Sequence, residues 1–349
     1  MPAWFPVRER NNGSRRNFGH GRRPPKAFLP SAEGLEERWL LSAAPAFRES
    51  HGRRDRGDVR PPDGAAIGGG IRAIPNLVYL TQGGRQEQLD LYLPTGPVPP
   101  GGWPVILALP GGGWRWVRRS DLGVTVSKFA KFGYAVAVAD YAYASSQPGT
   151  HVWPTNVEDV RQAVRWLKTN ADRYGIDPNA VAVWGESAGG NLAGLLGTDP
   201  DGPLADAPNS DPSTATVSAR VQAVVDFYGP SDLAKLYQEA PRVRPYLATF
   251  LGGSPEQYPD RYRDASPVAH VSADSPPFLI FQGTADTANL PDQSSELGTR
   301  LALAGVPVHV EMLQGLPHGF RLKLGHGVDY TSMVLGFLDA ALKRRTPAA

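Results

Sequence analysis

Strand-like apolar runs alternate with helical segments along most of this 349-residue chain, from about Leu77 onward. Runs such as VILAL, AVAVWG and FLIFQG have the length of strands that are buried on both faces of a sheet. Amphipathic segments such as NVEDVRQAVRWLKTNADRY lie between them, with the spacing of helices. This alternation predicts an α/β fold over residues 76–345, with a single doubly wound and mostly parallel sheet. At its start, NLVYL and QLDLYLP are expected to form an antiparallel pair.

Residues 1–75 have a different composition, which predicts a disordered, basic head and linker. Residues 1–60 carry 13 Lys and Arg against 7 Asp and Glu, whereas the rest of the chain carries 23 against 27. Stretches such as HGRRDRGDVRPPDGAAIGGG lack the apolar periodicity of a packed core. A basic head is compatible with nucleic-acid binding, but no recognition motif or basic helix accompanies it, so we expect no nucleic-acid partner.

Within this head, the segment LEERWLLSA, Leu35 to Ala43, resembles the short sorting signal of planctomycete surface proteins, L-E-P-R-x-L-L-S. Glu37 stands where that pattern has proline, so the match is partial. A short amphipathic helix is the alternative interpretation. The resemblance implies an exported or cell-surface protein, and a cytoplasmic protein is the alternative.

The overall composition is that of an ordinary soluble protein, with 41% hydrophobic and 20% charged residues. Cysteine is absent, which excludes disulfides, thiolate metal ligands and a cysteine nucleophile. No apolar run approaches the roughly 18 residues that a membrane-spanning helix needs. We therefore expect no integral membrane span.

The segment VAVWGESAGGNLAGLLG places Ser187 where a strand turns into a helix. Gly185 and Gly189 flank the serine, as a tight turn requires, because larger neighbours would crowd a strained backbone. Such a turn lifts the hydroxyl clear of the sheet, and the N-terminus of the following helix favours negative charge at the same point. Ser187 is therefore the candidate nucleophile.

A serine nucleophile needs a base, and His318 is the candidate. It lies in LQGLPHGF, on a loop shaped by proline and glycine just after the last predicted strand. His326, further along the chain, is the second candidate. The other histidines lie in the head, in the alternating run VPVHVEM, or in loops with no evident link to the carboxyl edge of the sheet.

The base in turn needs an acid that fixes its tautomer. Asp286, in FLIFQGTADTANLP, follows the penultimate predicted strand and a glycine turn. Asp226, one strand earlier, is the second candidate, and holding the loop DFYGP is its alternative role. Asp232 and Asp292 are predicted to be helix caps.

The segment LPGGGW follows the predicted strand VILAL and supplies a candidate oxyanion hole. Its glycines let backbone N–H groups approach a tetrahedral intermediate closely. We expect donors from Gly112 and Gly113, together with Ala188 after the nucleophile. A flexible turn is the alternative role of the glycines.

Several segments resemble the esterase/lipase branch of the α/β-hydrolases, which includes bacterial feruloyl-esterase-like enzymes and relatives of hormone-sensitive lipase. In chain order they are DLYLP, GGGW, EDVRQAVRWLKTNADRYGIDP, VAVWGESAGG, VQAVVDFYGPSDL, ASPVAHVSADSPPFLIFQGTAD and LPHGF, and the likeness covers about residues 76–345. The resemblance implies an α/β-hydrolase fold and a carboxylic ester hydrolase that forms an acyl-enzyme, with Ser187 as nucleophile, Asp286 as acid and His318 as base. It implies no metal or organic cofactor.

One position departs from the family pattern H-G-G-G, because Pro110 stands where histidine is usual. Proline fixes φ and lacks a backbone donor, so it either stiffens the start of the loop or leaves the loop slack until substrate binds.

Two alternatives to ester hydrolysis stay open. One is cleavage of amides by the same three residues, as in a formamidase or small peptidase, and the other is a catalytically silent hydrolase fold that only binds.

Three tryptophans lie on loops near the predicted site: Trp114, Trp116 and Trp153. Their rings are candidates for binding an aromatic acyl group or a sugar, and packing of the loops is the alternative. The expected substrate is a small-molecule or carbohydrate-linked ester with a short-chain or aromatic acyl group. The sequence does not define the oligomeric state.

Overall fold

The computed structural model describes residues 65–144, 152–202, 214, 216–320 and 330–343. The strands of this part are Ala65–Gly68 (β1), Ile71–Gln82 (β2), Arg85–Pro94 (β3), Trp103–Leu109 (β4), Ala135–Ala139 (β5), Ile176–Glu186 (β6), Ala223–Phe227 (β7), Phe278–Gly283 (β8) and Val308–Leu313 (β9). They form one sheet in the order β1-β2-β3-β5-β4-β6-β7-β8-β9.

Helices connect most of the described strands. They are Arg119–Val126 (α1), Thr155–Thr169 (α2), Ala171–Tyr174 (α3), Ala188–Thr198 (α4), Leu233–Glu239 (α5), Arg244–Leu251 (α6), Pro259–Asp264 (α7), Pro291–Leu303 (α8) and Tyr330–Leu338 (α9). Short 3-10 segments lie at Ser127–Phe132, Pro241–Val243 and Pro267–Ala269, and the π-helical turn Asp339–Lys343 continues from α9. In the described part of the chain, no helix has both the length and the apolar character that crossing a membrane requires.

The sheet changes once from antiparallel to parallel pairing. The pairs β1–β2, β2–β3 and β3–β5 are antiparallel, and from β5 through β4, β6, β7 and β8 to β9 all pairs are parallel. This confirms the predicted single, mostly parallel sheet and the antiparallel pair at its start. Because parallel strands end at one edge, the residues that follow β4 and β6 to β9 meet there, where α/β proteins bind ligands.

The central strands are buried on both faces, since helices cover each side of the sheet. In β4, Val105 and Leu107 pack into a core with α2 and α4, whereas Ile106 and Ala108 pack into a second core with α1 and α9. Successive side chains of a strand point to opposite faces, so a run that is apolar at every position fits only such a two-sided environment. The continuous run VILAL has this character.

The sheet begins before the predicted boundary at residue 76, which corrects the extent of the head. Ile71 and Ile74 are 5% and 2% exposed, and their strand pairs with β3. Pro75 breaks the apolar pattern in the sequence, and the register shifts between Ile74 and Leu77, where a residue without a backbone donor is accommodated. The rest of the predicted head, with the sorting motif, lies outside the described residues.

We expect the strand residues before position 76 to stabilise the fold. A variant that lacks residues 1–75 loses Ile71 and Ile74, and burying such a side chain is worth roughly 1.5–3 kcal/mol. Its melting temperature should lie several degrees below that of a matched variant that lacks residues 1–64 only. Circular dichroism during heating measures the difference, and equal melting temperatures would contradict this contribution.

Candidate active site

Ser187 occupies a strained turn between β6 and α4. Its backbone has φ 53° and ψ −118°, a conformation that residues with a side chain rarely adopt. A Cβ on Gly185 would lie 2.1 Å from the carbonyl oxygen of Gly189, and a Cβ on Gly189 would lie 2.1 Å from that of Leu109. Both flanking positions must therefore be glycine, which explains the G-E-S-A-G spacing.

Two backbone hydrogen bonds fix this turn at the carboxyl edge of the sheet. The N–H of Ser187 donates to the carbonyl of Phe227, the last residue of β7, at 2.9 Å. The carbonyl of Ser187 accepts from the N–H of Asn191 in α4 at 3.0 Å. The serine is thus tied both to the neighbouring strand and to the first turn of the helix, whose N-terminus favours negative charge.

His318 reaches the serine from the loop that follows β9. Its Nε2 lies 3.0 Å from Ser187 Oγ, and its Nδ1 lies 2.8 Å from Asp286 Oδ2. Because a carboxylate only accepts hydrogen bonds, Nδ1–H donates to Asp286 and leaves the Nε2 lone pair of a neutral imidazole for the serine hydroxyl. The structure therefore brings together the three residues that the sequence predicts as nucleophile, base and acid.

Asp286 is held in one orientation by donors from its own loop and from β8. The N–H groups of Ala288 and Asn289 donate to Oδ1, both at 2.9 Å. The side-chain amide of Gln282 donates to Oδ2 at 3.3 Å. The Asp286 side chain is 0% exposed, whereas that of His318 is 25% exposed. The imidazole is thus accessible while the carboxylate that orients it is not.

Two residues that support this arrangement are absent from the sequence prediction. Gln282 is fully buried, and its Oε1 accepts from Ser294 Oγ at 2.9 Å, which turns its amide N–H group toward Asp286. Tyr228 packs edge-on against the His318 ring, with centroids 4.9 Å apart. Gln282 could have been predicted as special from the sequence, because it is the polar residue in the apolar run FLIFQG. The position of Tyr228 could not, because it depends on a φ of 46° that has no sequence pattern.

Asp226, the second candidate acid, lies at the end of β7 and takes the loop-holding role. It is 2% exposed, and its Oδ1 accepts from the N–H of Gly229 at 2.9 Å. Burial raises the pKa of Asp226 to about 7, and the bond from Gly229 offsets only part of that effect.

Among the described residues, no group of three or more His, Asp or Glu side chains is placed to hold a metal ion. The second candidate base, His326, lies outside the described residues.

Of the two predicted helix caps, Asp232 is confirmed and Asp292 is wrong. The Asp232 side chain accepts from the N–H of Lys235 at the N-terminus of α5. Asp292 lies in the first turn of α8, whose N-cap is Leu290, and it binds Lys235 Nζ at 2.7 Å instead. Pro291 takes the first helical position, which it favours because it lacks an N–H, and this moves the cap away from Asp292.

The glycine loop after β4 runs directly against the serine turn. A Cβ on Gly111 would lie 3.3 Å from Ser187 Cβ. Gly112 and Gly113 have φ 138° and 58°, and no backbone carbonyl of the described residues accepts a hydrogen bond from the N–H of either. Together with Ala188 N–H, at the first position of α4, these groups fit the requirement for donors that are ready to bind an oxyanion.

The three tryptophans differ in their surroundings. Trp114 and Trp153 are 4% and 6% exposed, and both pack against Phe250 of α6, with ring centroids 4.5 Å and 5.9 Å away. Their assignment to substrate binding is corrected, because burial leaves almost no ring surface for a ligand. Trp116 is 39% exposed, and a Cβ on Gly112 would lie 2.9 Å from its ring, so Trp116 stays a candidate.

We expect Asp226 to lower stability at neutral and alkaline pH. Folding raises the pKa of this carboxyl from 3.8 to about 7, so the folded state is favoured while the carboxyl is protonated. That contribution to the free energy of unfolding is lost as the pH rises through 7. Asp226→Asn keeps an acceptor for Gly229 N–H and removes the ionisation. It should melt several degrees above the wild type at about pH 8 and close to it at about pH 4. Thermal unfolding at both pH values measures this, and a difference independent of pH would contradict the assignment.

Comparison with known proteins gives a family, relatives and a fold. The family model BD-FAE matches residues 89–301, more than half of the chain. The probable carboxylic ester hydrolase LipM of Mycobacterium tuberculosis is 33% identical over 208 residues, which cover 58% of this chain and 46% of LipM. Esterase LipC of the same organism is 33% identical over 268 residues, which cover 74% of this chain and 62% of LipC. This chain thus spans about half to three fifths of these relatives' lengths.

A solved structure shares the architecture. A truncated carbohydrate esterase from gut microbiota aligns with a TM-score of 0.68 at 23% identity, and the alignment covers 80% of this chain and 100% of that one. At this identity the likeness establishes the fold alone. Because the family model matches most of the sheet and the Ser187 turn, this chain belongs to the BD-FAE family and has an α/β-hydrolase fold of the esterase/lipase type.

Proposed function

We propose that this chain is a serine carboxylic ester hydrolase that acts through an acyl-enzyme. The observation that carries the proposal is the continuous hydrogen-bond chain from buried Asp286 through His318 to Ser187, with links of 2.8 Å and 3.0 Å. Family membership supports it, as do the names of the curated relatives, which are ester hydrolases.

The reaction begins when Ser187 Oγ attacks the ester carbonyl carbon and His318 Nε2 takes the hydroxyl proton. As the tetrahedral intermediate collapses, the imidazolium returns that proton to the departing alkoxide, which leaves as an alcohol. Water then attacks the acyl-enzyme in the same way and releases the acid. Asp286 stabilises the imidazolium in both halves, because its carboxylate lies against Nδ1.

The negative charge that develops on the carbonyl oxygen is bound by backbone N–H groups. Gly112 and Gly113 supply donors from the loop, and Ala188 supplies one from the N-terminus of α4. One such donor is worth roughly 2.7–4 kcal/mol in comparable oxyanion holes. The glycine loop lies directly beside the nucleophile, since a Cβ on Gly111 would lie 3.3 Å from Ser187 Cβ.

The proposed substrate is a short-chain, aromatic or carbohydrate-linked ester. Trp116 exposes part of its ring beside Gly112. Tyr246 of α6 lies beside the next glycine, because a Cβ on Gly113 would lie 2.8 Å from its ring. Aromatic surfaces of this kind stack on phenyl rings and sugars and make hydrophobic contacts with acyl chains. The carbohydrate esterase with the same fold is compatible with this class.

The proposed location is outside the cytoplasm, either in the medium or at the cell surface. This proposal rests on the resemblance of LEERWLLSA, Leu35 to Ala43, to a sorting signal. The cytoplasm is the alternative location.

Loss of one member of the hydrogen-bond chain should disable the enzyme. Ser187→Ala and His318→Ala are each expected to lower kcat by several orders of magnitude, because the three residues act as a unit. Asp286→Asn should also be severe. Initial rates with p-nitrophenyl acetate, and labelling of the serine by an organophosphonate, measure these losses. Asp226→Asn is the matched control and should keep its activity. An active His318→Ala enzyme would contradict the proposal.

Trp116 should contribute to the binding of aromatic esters. Trp116→Ala is expected to raise KM for a feruloyl ester several-fold and to leave KM for an acetyl ester nearly unchanged, because only the aromatic group is large enough to stack. Phe132→Ala is the control, since Phe132 is 46% exposed but lies at a 3-10 segment away from the glycine loop. Equal changes for both esters would assign Trp116 to loop packing instead.

A further inference from the structure

Tyr141 donates a hydrogen bond to the residue at which the glycine loop starts. Its hydroxyl lies 2.5 Å from the carbonyl oxygen of Pro110, and Tyr141 is fully buried just after the end of β5. Proline has no N–H, so this carbonyl is the only backbone group by which Pro110 can be held through a hydrogen bond.

The loop needs such an anchor because its backbone is strained. Gly112 and Gly113 have φ values of 138° and 58°, which glycine adopts without strain. Trp114 has a φ of 56°, which a residue with a side chain rarely adopts. Conformations of this kind persist only where the surrounding structure determines them, above all for a residue with a large side chain. At the far end of the loop, the carbonyl of Trp114 accepts from the N–H of Ala144 at 2.7 Å. The segment after β5 therefore holds the loop at both ends.

The carbonyl of Pro110 also lies against the helix that follows the nucleophile. A Cβ on Gly189 would lie 2.6 Å from this oxygen, and Gly189 is the residue after Ala188. The oxygen thus lies between the hydroxyl of Tyr141 and the first turn of α4. Any movement of Pro110 changes the distance between the loop donors and the donor of Ala188.

Tyr141 is itself held in place by its neighbours in sequence. The N–H of Ala142 donates to Asp159 Oδ2 at 2.8 Å, and Arg85 binds both oxygens of the same carboxylate at 2.6 Å and 2.8 Å. On the other side, the hydroxyl of Tyr79 donates to the carbonyl of Asp140 at 2.6 Å. The segment that carries Tyr141 is therefore fixed independently of the loop.

We propose that Tyr141 is a positioning residue for the oxyanion hole. Its hydroxyl holds Pro110, and through Pro110 it sets the loop donors at the spacing from Ala188 that the transition state requires. This inference rests on the proposed ester hydrolysis and adds to it how the loop is held in a chain that has proline before the glycines.

The test compares two buried tyrosines that each donate to one backbone carbonyl. Tyr141→Phe should lower kcat about tenfold or more and change KM less than about threefold, because only contacts to the transition state are lost. Its affinity for a trifluoromethyl ketone analogue of the substrate should fall by about the same factor as kcat/KM. Tyr262→Phe is the matched control, because Tyr262 of α7 is also fully buried and donates to the carbonyl of Gly253 at 2.9 Å. Its kcat should stay within about threefold of the wild type. Circular dichroism verifies that each variant is folded at the assay temperature.

Rescue separates the hydroxyl from the ring. With 4-aminophenylalanine at position 141, a donor of similar reach is retained, and kcat should return to within about threefold of the wild type. If Tyr141→Phe does not fold, the variant with 4-aminophenylalanine provides the test. If that variant is folded and its kcat is about tenfold or more below that of the wild type, the inference is wrong. Equal kcat in Tyr141→Phe and Tyr262→Phe overturns it as well. A wild type that hydrolyses no ester instead overturns the proposed function, and the inference with it.

Discussion

The structure depends on the close approach of two backbones at the carboxyl edge of the sheet, where α4 begins against the end of β4. A Cβ on Gly189 would lie 2.1 Å from the carbonyl oxygen of Leu109, so no side chain fits between them. The contact forces the sharp turn at Ser187 and brings the glycine loop beside it. The two halves of the proposed oxyanion hole therefore come from elements that touch.

Parallel strand direction then supplies the rest of the site. Ser187 and His318 are 131 positions apart in sequence, yet they meet because their strands end at the same edge. Two aspartates lie at this edge, Asp226 at the end of β7 and Asp286 after the neighbouring β8, and they differ in their hydrogen bonds. Asp286 receives three protein N–H donors besides the imidazole, whereas Asp226 receives the N–H of Gly229, and burial raises its pKa to about 7. The loop after each strand decides which carboxylate serves the histidine.

The topology of the parallel sheet explains why the three candidate residues could be predicted from the sequence. Ser187, Asp286 and His318 each follow a run that composition marks as a strand, so a parallel sheet alone brings them to one edge. The local departures escape prediction because they depend on backbone angles or distant contacts. Pro75 hides the start of the sheet, since its register shift has no sequence pattern. Trp114 takes φ 56° and packs on Phe250, so a loop position near the site does not mean an exposed ring.

The proline before the glycines is held from outside the glycine loop. Its carbonyl accepts a hydrogen bond from the hydroxyl of Tyr141, which ties the start of the loop to the segment after β5. That segment is held by Asp159, whose carboxylate is paired with Arg85 at the start of β3. The antiparallel strands, which carry none of the reacting groups, are thereby connected to the oxyanion hole through three successive hydrogen-bonded contacts. In the proposed mechanism, these strands thereby support a site built at the ends of the parallel strands.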